Sequence, residues 1–508
     1  MLHGNFNVLQ GICAASIVIG TSCSLSAQPG IFLEKDVEVL WYADGEAPGD
    51  EFGYTCNPIG DITGDGVTEF IVSSAYHDAG APNGGKVYIY DGATRALLKA
   101  HVGTVTNGAF GFRVQPGGDL NGDGVPDYVV SGPGVLGTAT TGEVFAFSGA
   151  DHSVIAHIPS PVPNARFGQG LSVPGDINGD GEDDLVIGAS RDGTGAPLAG
   201  VVRVYSRSDW TTPWREHIGT TTDALFGHAS QGLADITNDG VPEYIIGAPG
   251  DGPTQGGVAY VYNGLTGSLE YSIAPSSSTA VDFARFFAND VGDLNNDGVR
   301  DIFIGDFNDN ALGPWTGVAY TFSGVDGSQL HRINGLGAYC SIGFGGRYLG
   351  DMDCDGHDDF LTAYLYVPGA SAVWGGQVAI FSGKTGETLR TITSLTGNNA
   401  QLYGEQFGYD CVRLGDLDGD TVPELLITAG LNNSNGNRAG RAYIIKGELV
   451  EPQCYADCDR NTALNIFDYI CFGNYYASHD PCADCDGNGS LNVFDYICFG
   501  NAYSAGCS

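Results

Sequence analysis

Short runs of alternating apolar and polar residues, broken by Gly, Pro, Asn and Asp, fill the chain from Val37 to Lys446. The clearest stretch predicts four strands. Phe226-Gly227 leads into the first, Glu243 to Pro249 is the second, Gly257 to Tyr262 the third and Ser268 to Ile273 the fourth. Asn263-Gly264 turns the chain between the last two. Val, Ile, Tyr and Phe at alternate positions suit pleated surfaces packed against neighbours. The pattern occurs seven times, at intervals of 58, 57, 59, 58, 58 and 65 residues. A fixed period of this size marks units that cannot bury a core alone, and four short strands per unit make one propeller blade. The expected fold class is therefore all-β, a seven-bladed β-propeller.

The seventh unit supplies only three strands, ending in Arg441 to Lys446, while Val37 to Tyr42 is a good strand without a unit of its own. This N-terminal strand is expected to complete the seventh blade as its outer strand, closing the ring and removing an exposed edge.

Each unit also carries an acidic nine-residue loop between its first and second strands, reading D-x-[N/T/D]-x-D-x-x-x-[D/E]. Oxygen ligands at alternate positions, with a Gly at position six in six of the seven loops, are the chemistry of a calcium site. Side chains at positions 1, 3, 5 and 9 and the backbone carbonyl at 7 are the candidate ligands. In the first loop they are Asp61, Thr63, Asp65, Glu69 and Val67, and in the second Asp119, Asn121, Asp123, Asp127 and Val125. The third offers Asp176, Asn178, Asp180, Asp184 and Glu182, and the fourth Asp235, Thr237, Asp239, Glu243 and Val241. The fifth has Asp293, Asn295, Asp297, Asp301 and Val299, and the sixth Asp351, Asp353, Asp355, Asp359 and His357. The seventh, Asp416, Asp418, Asp420, Glu424 and Val422, carries Thr421 in place of the Gly. A structural role for calcium is expected, because these loops face away from the usual ligand face of a propeller.

Phe-Gly stands nine residues before the loop in five units, at 52, 110, 167, 226 and 407, and Gly247-Ala248-Pro249 follows the fourth loop. Unit five has Ala284-Arg285 at that offset and unit six Ile342-Gly343. Phe-Gly, calcium loop and Gly-Ala-Pro together resemble the FG-GAP repeats of integrin α-subunit propellers, over residues 34–447. The resemblance implies a seven-bladed ring that binds extracellular ligands.

Composition changes after a short linker, 448–453. Two near-copies follow within 454–508, beginning at Asp457 and Asp484, each a twelve-residue loop leading into a short helix. Candidate ligands are Asp457, Asp459, Asn461, Ala463 (carbonyl), Asn465 and Asp468, then Asp484, Asp486, Asn488, Ser490 (carbonyl), Asn492 and Asp495. Tandem EF-hand-like loops with Asp at position twelve, and Gly506-Cys507 at the end, resemble a GC-type dockerin of secreted bacterial proteins. That resemblance implies attachment to a cohesin-like receptor. Ile466-Phe467 and Val493-Phe494 stand where polar recognition residues are usual, which counts against a typical cohesin. Phe467, Tyr469, Phe472, Phe494, Tyr496 and Phe499 are expected to supply most of the small module's core.

The acids outnumber Lys and Arg by 60 to 21, giving a net charge of −39 in 508 residues. Candidate ligands account for 29 of the 60 carboxylates. That balance excludes a nucleic-acid partner, since no basic surface exists to displace phosphate counterions. An apolar stretch from Val8 to Gly20 before Leu25-Ser26-Ala27 predicts an export signal over 1–27, and no other run is long enough to span a bilayer. Export makes disulfides the expected use of the cysteines. Cys56 and Cys411, each five residues before its loop on neighbouring inner strands, are expected to clasp the ring, with Cys340–Cys354 as the competing local pair. In the C-terminal module Cys458/Cys471 and Cys485/Cys498 repeat a thirteen-residue interval, and Cys454 and Cys507 could staple the ends. Seven cysteines there leave one to pair elsewhere or stay free.

No catalytic constellation is legible: the ten His form no H-E-x-x-H and flank no nucleophile elbow. The expected function is a secreted, calcium-binding propeller that binds extracellular protein or glycan. A calcium-dependent polysaccharide lyase or hydrolase is the alternative. Either would use the face built by the strand 2–3 and 4–1 loops, where Trp315, Trp374, Tyr364 and Tyr366 are candidates for stacking on sugar rings. Tyr76, His77 and Tyr403 lie in the same loops.

Overall fold

The computed structural model describes residues 32–367, 375–396, 404–450, 455–458, 464–485 and 490–506. Seven four-stranded antiparallel sheets are present. In blade four the strands are Ala229–Gly232, Tyr244–Ala248, Val258–Tyr262 and Leu269–Ile273, in that spatial order. The first begins two residues later than the Phe-Gly pair, which belongs instead to the seam between blades.

The second strands show why the meander is stable only as a ring. Asp127–Gly132 and Asp184–Ala189 are buried along their whole length, enclosed by neighbouring blades on both faces. Outer strands such as Leu97–Val102 remain largely exposed. Five seams form clusters of their own, while those on either side of blade six merge into one. Ile59, Ile71, Val114, Tyr128 and Val130 join blades one and two with every side chain fully buried. Burial of one such side chain stabilises by roughly 1.5–3 kcal/mol.

Phe-Gly explains itself at the seam. Phe52 pairs in parallel with Gly440 of blade seven, as Phe110 does with Gly85 and Ile342 with Gly317. A Cβ on Gly440, whose φ is 87°, would sit 2.1 Å from the carbonyl oxygen of Phe52, so no side chain fits there. In blade five the seam position is taken by Phe283, whose carbonyl oxygen lies against Gly257, and by Ala284 at φ 59°. The motif is therefore present one residue earlier than a fixed offset indicates, as Phe-Ala.

The ring closes as expected. Val39–Asp44 pairs antiparallel with Arg441–Ile445, giving the order outer-to-inner Val39–Asp44, Arg441–Ile445, Glu424–Ala429, Phe407–Gly415. Arg441 holds Asp44 bidentately, at 2.6 and 2.9 Å.

The expected disulfide clasp is absent, because Cys56 and Cys411 are both buried free thiols. They hold equivalent places on adjacent blades, so their side chains point the same way round the ring rather than toward each other. Cys56 Sγ lies 4.0 Å from the Leu426 carbonyl of blade seven, whereas Cys411 Sγ faces Gly345 of blade six. The competing Cys340–Cys354 pair is absent too. Cys340 is a buried free thiol, and Cys354 bonds to Cys482 with a Cα separation of 5.6 Å. Cys482 is thus a cysteine of the C-terminal module that pairs outside it, and it ties that module to loop six of the propeller.

In the module, helix α1 (Ile466–Ser478) and helix α2 (Val493–Ala505) follow the two duplicated loops. Disulfides join Cys458 to Cys471 and Cys485 to Cys498. Cys454 and Cys507 lie outside the described residues. The core is smaller than expected. Phe472 and Phe499 stack at 4.3 Å and are buried, but Phe467 and Phe494 are 61% and 63% exposed. The reason is helical geometry: positions five residues apart project to different faces.

Candidate calcium loops and the opposite face

The hairpin loops between first and second strands share one backbone design. Asp61 accepts hydrogen bonds from the N–H groups of Gly64 (2.7 Å), Asp65 (3.1 Å) and Gly66 (2.8 Å), which wraps the loop around its carboxylate. Asp119, Asp176 and Asp416 do the same for positions four to six of their loops. Asp235, Asp293 and Asp351 hold positions five and six. At position five, Asp65, Asp123, Asp180, Asp239, Asp297, Asp355 and Asp420 each accept the N–H of position seven, held by Val67, Val125, Glu182, Val241, Val299, His357 and Val422. Positions four and six are left-handed throughout, for example Gly64 at φ 78° and Gly66 at φ 90°.

Position nine looks inward. Glu69, Asp127, Asp184, Glu243, Asp301, Asp359 and Glu424 are all buried, and each accepts the N–H of position two of its loop. Thr63 and Thr237 bond Glu69 and Glu243, and Asn178 bonds Asp184 at 2.9 Å. Asn121 lies 3.5 Å from Asp127, and Asn295 accepts the N–H of Asp297. Burial, with repulsion from the other carboxylates of the loop adding to it, pushes Asp127 up to about 6, Asp184, Asp301 and Glu424 to about 7 and Asp359 to about 8.

Carboxylate oxygens within 4.8 Å of one another gather in four loops: Asp61, Asp65 and Glu69; Asp235, Asp239 and Glu243; Asp351, Asp353 and Asp355; Asp416, Asp418 and Glu424. The Oε1 atom of Glu424 is buried without a hydrogen-bond partner. Converging oxygens of like charge around a left-handed turn fit a hard divalent cation, and calcium would supply the charge that lets them stay ionised together. Loop seven differs in one respect. Lys446 Nζ lies 2.7 Å from both Asp418 and Asp420, so two of its four carboxylates already have a cation.

The C-terminal candidates divide. Asn465 caps α1 by accepting the N–H of Phe467 at 2.9 Å, and Asp468 accepts that of Asn465 at 2.6 Å. Asn492 and Asp495 repeat this capping box on α2, at 2.9 and 2.7 Å. Asp468 and Asp495 are fully buried, and Oδ1 of each lacks a hydrogen-bond partner, so both could still serve an ion. Asp457 is buried, Asp484 half-buried and Ser490 exposed. Asp459, Asn461, Ala463, Asp486 and Asn488 lie outside the described residues, as do 1–31 with the expected export signal.

On the opposite face, aromatic rings of blades six, seven, one and two form an arc about the axis at the top of the inner strands. Tyr54 lies 5.3 Å from Phe112 and 5.6 Å from Tyr409, and Phe344 lies 5.8 Å from Tyr409. Below them Asn57, Gln115, Gln231, Asn289 and Arg347 form a polar ring in the channel. Sequence reading missed both groups. Their signal was available: Tyr54, Phe112 and Tyr409 follow Phe-Gly directly and Phe344 follows Ile342-Gly343, while the five polar side chains each stand four residues before their loop. Of the four stacking candidates, Trp315 is 51% exposed and meets Tyr339 edge-on at 5.8 Å. Tyr364 is buried, with no ring face open to solvent. Tyr366 is half-buried and bonded through its hydroxyl by Gln406. Tyr76 packs on Tyr54, and His77 is buried beside Glu46. Trp374 and Tyr403 lie outside the described residues.

Comparison with known proteins agrees with this geometry. Residues 167–205 match the model of the FG-GAP repeat. Integrin alpha-PS5 of Drosophila melanogaster is 35% identical over 181 residues, covering 33% of this chain and 18% of the relative. Integrin alpha-5 of Xenopus laevis is 30% identical over 212 residues, covering 39% and 20%. Integrin alpha-V of Gallus gallus is 26% identical over 249 residues, covering 46% and 23%. The matched region spans about a fifth of the length of these relatives. The chain is thus an integrin alpha-like, FG-GAP-containing seven-bladed propeller, with acidic clusters that suggest calcium and disulfides that suggest an extracellular domain.

Proposed function

We propose that this chain is a calcium-stabilised extracellular propeller that binds a protein ligand on its upper face, the one built by the strand 2–3 and 4–1 loops. The observation that carries the reading is the division of labour between faces. Acidic hairpins with converging carboxylates occupy the lower face, as in a propeller whose ions are structural. The upper face carries the longer and more varied loops, in a molecule similar to integrin alpha-subunits.

The C-terminal module acts as the attachment device. Ile466, Phe467 and Ile470 on α1 are 64%, 61% and 51% exposed, and Val493, Phe494 and Ile497 repeat the pattern on α2 at 62%, 63% and 52%. Two matched apolar patches on so small a module support docking to a receptor. A cohesin-like receptor is the one the dockerin resemblance implies, and its contact face would have to be apolar.

Binding of the full chain to arrays of extracellular proteins and of glycans, in calcium and in EGTA, tests the proposal. Retention of a protein on the array in calcium is expected. The exposed Trp315–Tyr339 pair supports a second reading, glycan binding, and selective retention of a polysaccharide would favour it. Release of unsaturated sugars from a polysaccharide would replace binding by lyase activity.

A further inference from the structure

In a chain with 60 acids and 21 bases, the position of unpaired arginines is informative. Arg113 and Arg347 line the channel, and Arg166 and Arg191 stand beside its upper end. None has a carboxylate within the 4.0 Å of an ion pair among the described residues. Two rings tie part of the group together. The guanidinium carbons of Arg113 and Arg166 lie 5.6 and 5.1 Å from the centre of Phe112, and those of Arg113 and Arg285 lie 5.4 and 5.6 Å from Phe286. Cation–π contact holds these charges close despite their mutual repulsion.

The outer end of the arc opens into a pocket of 310 Å³ between blades two and three. The 2–3 loop of blade two forms one wall, with Pro133, Val135, Leu136 and Ala139, and Arg166 and Arg191 stand on the other. The two arginines differ. Arg166 is fixed by the Gly134 carbonyl and by Gln169 Oε1 at 2.8 Å. Arg191 is half-buried, and among the described residues nothing accepts from its guanidinium. The volume exceeds a single inorganic ion and falls at the lower end of the range for small-ligand sites. Its lining contains no aromatic ring on which a sugar could stack. A loop wall on which Pro133, Val135, Leu136 and Ala139 stand beside Thr138 and Thr140, leading to a guanidinium, matches a short aliphatic stem that ends in a carboxylate.

We propose that this pocket receives an acidic side chain, glutamate before aspartate, of the protein ligand, with Arg191 as the ion-pairing residue and Arg166 as the second donor. The inference rests on the protein-binding reading above and names the chemistry of the partner.

The test uses the full chain in saturating calcium, with fluorescein-labelled hexaglutamate and hexaglutamine as probes in fluorescence anisotropy. Hexaglutamate should bind, with affinity that falls as salt rises, and hexaglutamine should not. Arg191→Gln should weaken hexaglutamate at least about tenfold without moving the melting temperature, since its guanidinium makes no internal bond. Arg191→Lys should recover part of the loss, and Lys99→Gln on the outer strand of blade one should change nothing. Absence of hexaglutamate binding, or binding indifferent to Arg191→Gln, would overturn the proposal. Preference for an oligogalacturonate at Arg191 would overturn it in favour of an acidic glycan. A protein from the array that Arg191→Gln still holds at full strength would leave the protein-binding reading intact and sink only this one. Hexaglutamate binding at Arg191 with no protein retained on the array would do the reverse.

Discussion

At position six of loop seven, Thr421 holds φ 74° where six other loops use Gly. A β-branched residue is strained there by roughly 1–3 kcal/mol. Thr421→Gly should therefore stabilise the protein by about 1 kcal/mol, read as a higher denaturant midpoint in calcium. Gly440→Ala should act in the opposite direction and more strongly, by about 3 kcal/mol or more, because its Cβ would strike the Phe52 carbonyl. A midpoint within a few tenths of a molar of the wild type would show that the closing seam tolerates a side chain. These glycines were visible in the sequence, and the turns of the acidic hairpins could be read almost position by position, because turn geometry is a local property. The facing of Cys56 and Cys411 was not legible. It depends on how one blade is rotated against the next, which no local pattern encodes.

Between blades, two histidines recur at one kind of seam. His101, on the outer strand of blade one, stacks on Phe147 at 4.1 Å with Nε2 2.9 Å from the Tyr128 hydroxyl. His217 of blade three lies 4.1 Å from Tyr262 with Nε2 2.7 Å from the Tyr244 hydroxyl. Burial, with a neighbouring Lys or Arg adding to it, lowers both to about 4. Between their folded values and the unfolded value of about 6.5 the unfolded chain binds more protons, so stability rises with pH in that window and falls as pH drops from 6.5 toward 4. In saturating calcium, urea midpoints should decline over that interval. The double variant His101→Gln/His217→Gln should flatten the slope, by about 1 kcal/mol per site. A slope unchanged in the double variant would place the acid sensitivity elsewhere. Elements were mostly legible: all seven blades and the closing strand followed from period-two patterning. The exceptions had physical causes. Blade five keeps its seam contact through Phe283-Ala284 because one residue is displaced within its 4–1 loop. The helical faces of α1 and α2 hide Phe472 and Phe499 but not Phe467 and Phe494, a distinction that only the fold of both helices together decides.

Taken whole, the molecule is a ring stabilised at its seams with a small module fastened beneath. Calcium removal should loosen both parts unequally. Amides of α1 and α2 are expected to lose hydrogen-exchange protection first, since few apolar residues order the module, while the ring retains most of its own. Protection that ignores EGTA in both parts, or a native mass without bound ions in calcium, would refute the loops as metal sites. The Cys354–Cys482 bond has a separate, mechanical consequence. A pull on the C-terminal end enters the propeller through a covalent bond into blade six, and the chain between the two cysteines, which stand 128 positions apart, carries no load. Phe407–Gly415, Glu424–Ala429 and Arg441–Ile445 all lie inside that shielded loop, so tension bypasses three of the four strands of the closing blade. Stretched between its ends in a single-molecule experiment, the oxidised chain should fall short of the reduced one by roughly 450 Å of contour length. The bond thus works as a strain relief, letting a tethered propeller be tugged without unzipping where its ends meet.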